Sequence, residues 1–475
     1  MHIEQYNSTF IRLQDISNRE FAILEDFLAY KDLGAQYEYN KAKKNVRMYL
    51  SQGDRWQHHV DQLKASINQS ALFNDKEGYF TYAGLLNEIL SLKLHSNYTN
   101  NIVYPDFKLM GFDYRYEALD LYPYQKEAAE ALLKSTHASI ELPTGAGKTE
   151  VIKHIIKNTG LQTLVVVPYA AIADQFVKDF SDAFGKKFVG MMGDGKKKFD
   201  KQITIGIAAT LHRMKDDSAA YEKLSKCGML IYDECHLVGA PTVSSISLGV
   251  GKNIPYKYSV SATPFRSDGT GLKLKGIIGD VVYRKEFKEL VAGGYLSPLR
   301  FKIVNVHSQS NYEGHDPLKT KQEHYLYNSD LLQKAAHLIN FKRRQDESIL
   351  VLIDEKEQID YLKNYLQCEY TLANADTDCT QIIKDFNDRK IKLVIGTSAI
   401  ATGANFKPVK TLVLLTSGKS EIKLKQALGR ATRLYPGKTH CDVIDFHVQG
   451  ISQLERHLNE RIRIYNFLSD QIDFI

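Results

Sequence analysis

Short apolar runs and helical segments alternate along two stretches of the chain. In the first, from about Leu119 to Val291, the runs are "ASIELP", "TLVVVP", "ITIGIA", "MLIYDE" and "KYSVSAT", and each ends in polar or small residues. This alternation predicts a parallel sheet with crossover helices, whose ligand sites lie beyond the carboxyl ends of the strands. The runs "SILVLID", "KLVIGTS", "TLVLLTS" and "CDVIDF" repeat the pattern between about Ser348 and Phe446. The sequence therefore predicts two similar α/β lobes in tandem.

Changes in composition and turn residues indicate the boundaries of these lobes. The segment "VAGGYLSPLRF" carries the Gly-Gly and Ser-Pro pairs expected near a boundary. We predict a first lobe over residues 106–295 and a second over residues 296–450. Residues 1–105 are rich in Tyr, Asn and Lys, contain the helix candidate "REFAILEDFLAY", and predict a small α+β domain. Residues 451–475 have apolar positions at helical spacing and predict a terminal amphipathic helix.

The overall composition is typical of a folded globular chain. Of the 475 residues, 25% are charged and 43% are hydrophobic, which argues against disordered and fibrous classes. The net charge of +6 is compatible with a polyanionic partner. The five cysteines form no C-x-x-C pair, so we expect neither a disulfide framework nor a zinc site. With no signal-peptide pattern and no apolar stretch long enough for a bilayer, we expect a cytoplasmic protein with no membrane partner.

The loop "PTGAGKT" joins a predicted strand to a predicted helix and is suited to binding a polyphosphate. Backbone N–H groups of such a loop can surround phosphate oxygens, the lysine can reach the outer phosphates, and the hydroxyl after it can ligate magnesium. The usual pattern has a small residue where this chain has Leu142, so an ordinary Gly-rich turn is the alternative. The candidate nucleotide ligands are Thr144, Gly145, Ala146, Gly147, Lys148 and Thr149.

An acidic pair follows the predicted strand in "MLIYDECHLVG". Asp233 could hold magnesium together with Thr149, and Glu234 could orient and deprotonate an attacking water. Two acids in a turn are commonplace by themselves. Beside a phosphate loop two or three βα units upstream, they indicate a nucleoside triphosphatase that uses ATP and Mg²⁺.

Five motifs carry a resemblance to a known family. The segments "PTGAGKT", "DECH", "SATP", "GTSAIATGANF" and "QALGRATR" occur in the order and approximate spacing of motifs I, II, III, V and VI of superfamily 2 helicases, which this chain resembles. The DECH box, the "YPYQKEA" element and the layout of the first hundred residues are similar to phage recombination and branch-migration helicases of the UvsW type. The resemblance implies an α/β fold with two tandem RecA-like P-loop lobes.

The same resemblance implies roles around the nucleotide. Gln125 would read the adenine edge, although a polar residue that opens a helix is the alternative. Arg430 and Arg433, three residues apart and expected on one helix face, would reach the γ-phosphate as arginine fingers. Gly403 and Asn405 would also contact the nucleotide, although the family usually has an acid where this chain has an asparagine. The residues implied to couple ATP to nucleic acid are His236, Ser261, Thr263 and Gln426.

The implied contacts with nucleic acid read the backbone and not the base sequence. They are Pro168 and Thr210 in the first lobe and Thr397 and Ser398 in the second. The lysine run in "GDGKKKFDKQ" could add electrostatic attraction, but a solvated loop is the more ordinary interpretation. In the N-terminal domain, three lysines near aromatic residues are candidates for recognising a branch: Lys41, Lys43 and Lys44.

These features predict an ATP-dependent DNA helicase or translocase, free-standing and acting on single-stranded and branched DNA. Unwinding or branch migration of forked and four-way DNA would serve recombination, repair or replication restart, in the host cytoplasm if the protein is phage-encoded. Two alternatives stay open at this point: an RNA helicase, and a non-unwinding ATP-driven motor of a restriction or defence complex.

Overall fold

A computed structural model of the chain describes residues 1–5, 7–44, 54–92, 94, 97–100, 121–216, 218–262, 271–314, 316–373, 377, 379–397, 406–418 and 421–475. Contacts divide the chain into two compact units. The first comprises Met1–Leu142 and Gly147–Arg284, and the second comprises Pro143–Ala146 and Lys285–Ile475. The domain boundaries given above remain predictions.

The first hundred residues of the first unit form a small sheet with helices beside it. The elements are β1 (His2–Gln5), β2 (Phe10–Gln14), α1 (Asn18–Leu28), β3 (Ala29–Lys31), α2 (Leu33–Lys44), α3 (Asp54–Ala65), β4 (Asn68–Ser70), β5 (Phe73–Asp75), β6 (Gly78–Tyr82), a 3-10 turn (Ala83–Leu85), α4 (Leu86–Ser91) and β7 (Asn97–Asn100). Five strands pair in the order β5-β6-β2-β1-β7, and β3 pairs with β4. The helix predicted in "REFAILEDFLAY" is α1, which starts at a capping box between Ser17 and Glu20.

The rest of the first unit is a doubly wound α/β lobe. Its elements are α5 (Pro123–Leu133), β8 (His137–Glu141), α6 (Lys148–Thr159), β9 (Thr163–Val167), α7 (Ala170–Phe184), β10 (Val189–Gly193), β11 (Lys196–Lys197), β12 (Ile203–Ile207), α8 (Ala208–His212), α9 (Ala219–Leu224), β13 (Met229–Asp233), α10 (Cys235–Val238), α11 (Ala240–Leu248), β14 (Tyr256–Ser261), α12 (Gly271–Ile278) and β15 (Val281–Arg284). The strand order is β11-β10-β12-β9-β13-β14-β8-β15, parallel except for the β10–β11 hairpin. Every residue of β9, β12 and β13 is buried, as parallel strands covered on both faces require.

The N-terminal segment and this lobe share one hydrophobic core. Ile3 and Ile11 of the small sheet belong to the same buried cluster as Leu274 and Ile277 of α12. The backbones also approach closely, because a Cβ added to Gly84 would lie 2.5 Å from the carbonyl oxygen of Gly276. The N-terminal segment therefore packs as a part of the first unit, and not as a body with a core of its own.

A buried lysine lies where the two parts of this unit meet. Lys257 of β14 is fully buried, and its amine donates to Thr9 Oγ1 at 3.0 Å and to the Ser8 carbonyl oxygen at 3.3 Å. In return, the hydroxyls of Ser8 and Thr9 donate to the carbonyl oxygen of Lys252, at 2.6 and 2.7 Å. The loop between β1 and β2 is thus attached to both ends of the turn that leads into β14.

The second unit is a second α/β lobe with a parallel sheet. Its elements are α13 (Phe287–Ala292), β16 (Leu299–His307), α14 (Pro317–Lys321), a π-helix (Gln322–Leu326), α15 (Ser329–Arg344), β17 (Ile349–Ile353), α16 (Gln358–Leu362), a 3-10 turn (Lys363–Tyr365), β18 (Thr371–Ala373), α17 (Cys379–Asn387), β19 (Leu393–Thr397), β20 (Thr411–Leu415), α18 (Glu421–Ala431), β21 (Cys441–Gln449), α19 (Ser452–Leu468) and β22 (Ile472–Phe474). The strand order is β18-β19-β17-β20-β21-β16-β22. The fold class predicted from the sequence, two α/β lobes with an N-terminal α+β part and a C-terminal helix, is confirmed.

A buried ion pair attaches the C-terminal helix to the second sheet. Arg461 of α19 donates from Nε to Asp445 Oδ2 at 2.7 Å, and the Tyr465 hydroxyl donates to the same oxygen at 2.7 Å. Asp445 is fully buried in β21, so the pair fixes the helix against that strand. After the helix, the chain forms the edge strand β22 beside β16, an element that the helical spacing of residues 451–475 did not indicate.

Candidate functional site

The predicted phosphate loop lies between β8 and α6, at the carboxyl edge of the first sheet. Gly145 and Gly147 have φ values of 93° and 75°, a left-handed conformation that favours glycine, and Gly147 is the N-cap of α6. The first N–H groups of α6 follow it directly, as an anion site requires. Leu142, the residue that departs from the usual pattern, is fully buried, and its N–H donates to the Ser261 carbonyl oxygen at 3.0 Å. Its side chain thus belongs to the core beneath the loop.

Lys148 forms an ion pair with Glu234, the second acid of the DECH segment. The Lys148 amine lies 2.6 Å from Glu234 Oε1, and both side chains are about nine-tenths buried, at 9% and 11% exposure. Glu234 has a φ of 49°, an uncommon value for a side-chain-bearing residue, which places it at the turn between β13 and α10. Burial alone would raise the pKa of Glu234, but Lys148 and His236 outweigh it and hold that pKa below its ordinary value. Glu234 is therefore kept as a carboxylate.

A hydrogen-bonded triangle joins the DECH segment to the end of β14. The Ser261 hydroxyl donates to Glu234 Oε2 at 3.0 Å and lies 2.7 Å from His236 Nδ1, which is 3.3 Å from the same carboxylate oxygen. All three side chains are buried. Strand β14 lies between β13 and β8 in the sheet, so Ser261 comes to the carboxyl edge beside both the acids and the phosphate loop. The structure thus brings together four residues that the sequence singled out.

Asp233 and Thr149 are the predicted magnesium ligands. Asp233 is the last residue of β13 and is 6% exposed, and Thr149 is the second residue of α6. Burial and the neighbouring Glu234 charge raise the pKa of Asp233, with Lys148 opposing them. A carboxylate and a hydroxyl are oxygen donors of the kind that Mg²⁺ prefers, and with ATP phosphates and water they suit that ion. Within the described ranges, no cluster of three or more His, Cys, Asp or Glu side chains is arranged for a metal.

Gln125 lies beside the phosphate loop and also caps a helix. Its carboxamide oxygen accepts from the Tyr122 N–H at 3.0 Å, and its amide nitrogen donates to the Tyr124 hydroxyl at 3.4 Å. A Cβ added to Gly147 would clash with that same nitrogen. The rings of Tyr122 and Tyr124 stack with centroids 5.9 Å apart, and Tyr122 is 43% exposed. The contacts of Gln125 are thus compatible both with helix capping and with a place beside the nucleotide. The exposed ring of Tyr122 lies next to it.

The expectation that Arg430 and Arg433 share a helix face is wrong. Helix α18 ends at Ala431, so Arg433 follows the helix. The buried amine of Lys438 donates to the Ala431 carbonyl at 2.5 Å and to the Arg433 carbonyl at 2.9 Å, which satisfies acceptors at the helix end. Arg430 is buried, and burial and then Arg433 lower its pKa to about 9. The two guanidinium groups are thus neighbours that come from a helix and from the loop after it. Gln426 lies on the same helix, α18.

The predicted nucleic-acid residues follow strands at the carboxyl edges of the two sheets. Pro168 comes directly after β9 and is buried, and Thr210 lies in α8, which follows β12, and is half-buried. Thr397 is the last residue of β19 in the second sheet. Four of the predicted site residues lie outside the described residues: Thr263, Ser398, Gly403 and Asn405.

Two buried lysines near these motifs were missed by the sequence reasoning. Lys257 could have been found, because a charged residue inside the apolar run of "KYSVSAT" must be paired or hydrogen-bonded when the strand is buried. Lys438 follows the helix of motif VI, at the place where basic residues stabilise helix carbonyls. Neither has a motif pattern that marks it. In the part of the chain that the structure describes, every helix is too short or too polar to cross a membrane.

Two family profiles match the chain and enclose these residues. The family described as Type III restriction enzyme, res subunit, matches residues 118–266, and the Helicase conserved C-terminal domain matches residues 330–435. The first match contains the phosphate loop, the DECH segment and Ser261. The second contains Thr397, Arg430 and Arg433.

Individual relatives are similar over most of the chain. The ATP-dependent DNA helicase uvsW of Enterobacteria phage T4 is 26% identical over 343 residues, covering 68% of this chain and 67% of that protein. The DNA 3'-5' translocase XPB2 of Sulfurisphaera tokodaii is 26% identical over 422 residues, covering 78% and 89%. Among solved structures, the Mycobacterium smegmatis helicase Lhr bound to ssDNA and AMP-PNP matches with a TM-score of 0.53 and 16% identity, covering 74% of this chain and 49% of that one. That likeness confirms the two-lobed fold.

Proposed function

Because this chain is an ATP-driven helicase of superfamily 2 that resembles the UvsW type, we propose that it moves along DNA and unwinds or branch-migrates forked and four-way junctions. The observation that carries the proposal is the connected set Lys148, Glu234, His236 and Ser261. It links a phosphate-binding lysine and a water-activating carboxylate to the strand end of motif III. A motor needs such a link, because hydrolysis must change the grip on nucleic acid.

In this mechanism Lys148 exchanges one anionic partner for another. The outer phosphates of ATP compete with Glu234 for the Lys148 amine, and Lys148 transfers to them as an electrostatic ligand. Glu234, which keeps its contacts with Ser261 and His236, then orients a water and takes its proton. Mg²⁺, held by Asp233 and Thr149, would neutralise phosphate charge. Ser261 and His236 stay in contact with Glu234. A movement of that carboxylate would therefore move Ser261, the last residue of β14.

The second lobe contributes two arginines to the same reaction. We place Arg430 and Arg433 at the γ-phosphate when ATP is bound, where guanidinium groups stabilise the charge of the transition state. The lowered pKa of Arg430 reflects the cost of burying this group beside another cation, and phosphate oxygens would offset that cost. Gln125 and Tyr122 would take the adenine, by hydrogen bonds and by stacking.

DNA is the nucleic acid that the relatives favour. Both curated relatives above carry DNA in their names, as a DNA helicase and a DNA translocase. Pro168, Thr210 and Thr397 would hold one strand through its backbone, which carries no information about a junction. Recognition of a branch must therefore come from another part of the chain.

We assign branch recognition to helix α2 of the N-terminal segment. Lys41 of this helix is exposed, and its amine lies 3.6 Å from the Glu38 carboxylate. The amine of Lys43 lies 5.8 Å from the centroid of the Tyr39 ring. Tyr37 on the same helix is 66% exposed and is available to stack on an unpaired base. Lys44 ends the helix. Cations and aromatic rings on one exposed helix are suited to phosphates and open bases at a junction.

The test is ATP hydrolysis by the full chain with forked DNA, four-way DNA, linear duplex, single strands and RNA. We expect the rate of ATP hydrolysis to rise most with the branched DNAs and least with RNA. Substitution of Lys41, Lys43 and Lys44 by Ala should remove the preference for branches and leave stimulation by single-stranded DNA in place. Point substitution is preferable to deletion of the segment, because deletion would expose the shared core and Lys257. Greater stimulation by RNA than by any DNA would overturn the proposal in favour of an RNA helicase.

A second candidate is a motor that moves along duplex DNA without unwinding it. The match of residues 118–266 to a restriction-enzyme subunit favours this function. A translocating motor displaces a third strand from a triplex but leaves a forked duplex paired. Triplex displacement without fork unwinding would therefore support this second candidate over the first.

A further inference from the structure

A cavity of about 560 Å³ lies in the first lobe between the β10–β11 hairpin and helices α8 and α9. Its volume is within the range of about 300–1,000 Å³ that small-molecule sites occupy. We call it the hairpin cavity, and the lining residues that matter below are Met192, Lys197, Phe199, Thr210, Arg213, Met214 and Lys215. It is separate from the ATP site, because strands β9, β13 and β14 lie between β12 and β8 in the sheet.

The floor of the hairpin cavity is apolar. Met192, Phe199 and Met214 are half-buried and pack against the hydrophobic core of the lobe. An aromatic ring with two flexible thioethers around it is a surface that flat, polarisable ligands can stack on and slide against. One side of each of these three side chains packs against the core, and the other side is accessible from the cavity.

The rim of the cavity is cationic. Lys197, Arg213 and Lys215 line it and are exposed, and among its described lining residues there is no carboxylate. The neighbouring Lys196 points elsewhere, with its amine 2.6 Å from Asp174. The lysine run of the sequence is thus divided: one lysine faces the cavity and another pairs with helix α7. An apolar floor under a rim of positive charge matches a ligand with a flat ring and flanking anions.

The position of the cavity connects it to the strand path proposed above. Thr210, assigned to phosphate contact, forms part of the wall. Strands β10 and β12 are parallel, so their carboxyl ends lie at the same edge as the phosphate loop and Asp233. A strand held by its backbone at Thr210 would therefore pass over the opening of the cavity.

We propose that the hairpin cavity receives one unstacked base of the bound strand, with Phe199 beneath the base and Lys197 and Arg213 on the flanking phosphates. This inference rests on the proposed function and deepens it, because backbone contacts alone hold every nucleotide alike. A base bound in the cavity would distinguish one nucleotide of the bound strand from its neighbours and would fix the position of the strand relative to the protein. Such stacking is tolerant of sequence, since every base has a flat face.

Binding of single-stranded oligonucleotides that carry one abasic site at successive positions tests the proposal. With the wild type, one position should lose affinity by on the order of tenfold when its base is missing, and the others should change little. Phe199→Leu keeps an apolar floor but removes the ring. In this variant the affinity should depend little on the position of the abasic site. A melting temperature like that of the wild type would show that the variant is folded.

The cationic rim is tested by paired substitutions. Lys197→Ala with Arg213→Ala should weaken binding of the intact oligonucleotide and reduce its salt dependence by roughly one to two released counterions. Lys197→Ala by itself is compared with Lys196→Ala, the matched control, because each removes one positive charge from the same hairpin and only Lys197 lines the cavity. Lys196→Ala should weaken binding less than Lys197→Ala.

The outcomes separate this inference from the proposed function. A wild type that binds DNA and hydrolyses ATP in response, but shows no abasic position effect, overturns the base site and leaves the motor intact. A chain that no nucleic acid stimulates or binds overturns both. Equal effects of the Lys196 and Lys197 substitutions would reduce the rim to general electrostatic attraction and would also overturn the site.

Discussion

The Lys148 amine lies 2.6 Å from the Glu234 carboxylate, so the residues proposed to bind phosphate and to activate water are each other's ion-pair partners. Ser261 and His236 hold the other oxygen of the same carboxylate. Because a buried charge is costly without a partner, we expect Glu234 to keep its contacts with Ser261 and His236 when Lys148 turns to the phosphates of ATP.

Glu234→Gln should bind ATP and fail to hydrolyse it. The amide removes the base and the negative partner of Lys148, so phosphate no longer competes with a carboxylate for that lysine. We expect ATP affinity to be equal or higher and turnover to fall by roughly a hundredfold or more. Fluorescent ATP binding and single-turnover hydrolysis give the two quantities. Equal loss of binding and turnover would show that Glu234 shapes the site and does not act as the base.

Ser261→Ala should uncouple hydrolysis from DNA. The hydroxyl that connects β14 to Glu234 is lost, while Lys148 and Glu234 remain. We expect the ratio of DNA-stimulated to basal ATPase rate to fall by on the order of tenfold, as for a lost hydrogen bond to a charged group.

Ser259→Ala is the matched control for that uncoupling. Ser259 is buried on the same strand, and its hydroxyl donates to Cys235 Sγ at 3.0 Å and not to the acid. An equal loss of stimulation in both variants would assign the effect to packing of the strand.

Arg433→Ala should retain ATP binding while turnover slows by on the order of a thousandfold, as for a transition-state arginine. Arg463→Ala is a suitable control, because Arg463 is exposed on α19 and pairs with Glu460 at 3.0 Å. An unchanged turnover number for Arg433→Ala would show that this residue takes no part in hydrolysis. Loss of ATP binding would show instead that Arg433 contacts bound ATP before the transition state is reached.

Lys257→Met should flatten the pH dependence of stability. Burial lowers the pKa of Lys257 from 10.5 to about 7. Between those values the unfolded chain holds one more proton than the folded chain, so the wild type gains stability as pH rises, by up to about 1.4 kcal/mol per pH unit. Below about pH 7 the amine is charged in both states, and the folded chain bears the full cost of burying it.

Melting temperatures of both proteins from pH 6.5 to 9.5 measure this effect. The groups that face the amine are Ser8, Thr9 and His137, and burial and then Lys257 hold the pKa of His137 well below its ordinary value. The advantage of the methionine variant should therefore be largest near pH 7 and shrink as pH rises. A difference that stays constant over this range would show that the Lys257 amine keeps its proton in the folded chain throughout, as it does in the unfolded chain, and would contradict the lowered pKa.

The apolar pattern of the sequence was sufficient for the strands that build the site. "MLIYDE" forms β13 and "ASIELP" forms β8, and the polar residues after them meet at the carboxyl edge as parallel strands require. The motif residues Lys148, Glu234, His236 and Ser261 are brought together as the motif spacing suggested. Strand β10, "VGMMG", was missed because its glycines and methionines are not typical strand formers.

Other features depend on tertiary packing, which spacing along the chain does not contain. Arg430 and Arg433 are three residues apart, but the helix ends between them where a lysine binds its carbonyls. The hydrogen bond from Lys257 to Thr9 joins residues 248 positions apart. Likewise, the aromatic floor and cationic rim of the hairpin cavity meet only because α8 and α9 fold against the hairpin.

Strand separation of a forked DNA duplex by the full chain tests the central claim most directly. The wild type should separate the strands with ATP and Mg²⁺ and should not do so with a non-hydrolysable ATP analogue. Lys148→Ala should fail under both conditions, whereas Lys157→Ala, further along the same helix, should behave as the wild type. If the wild type hydrolyses ATP in response to DNA but separates no forked or four-way substrate, the account of this protein as a junction-unwinding helicase is contradicted.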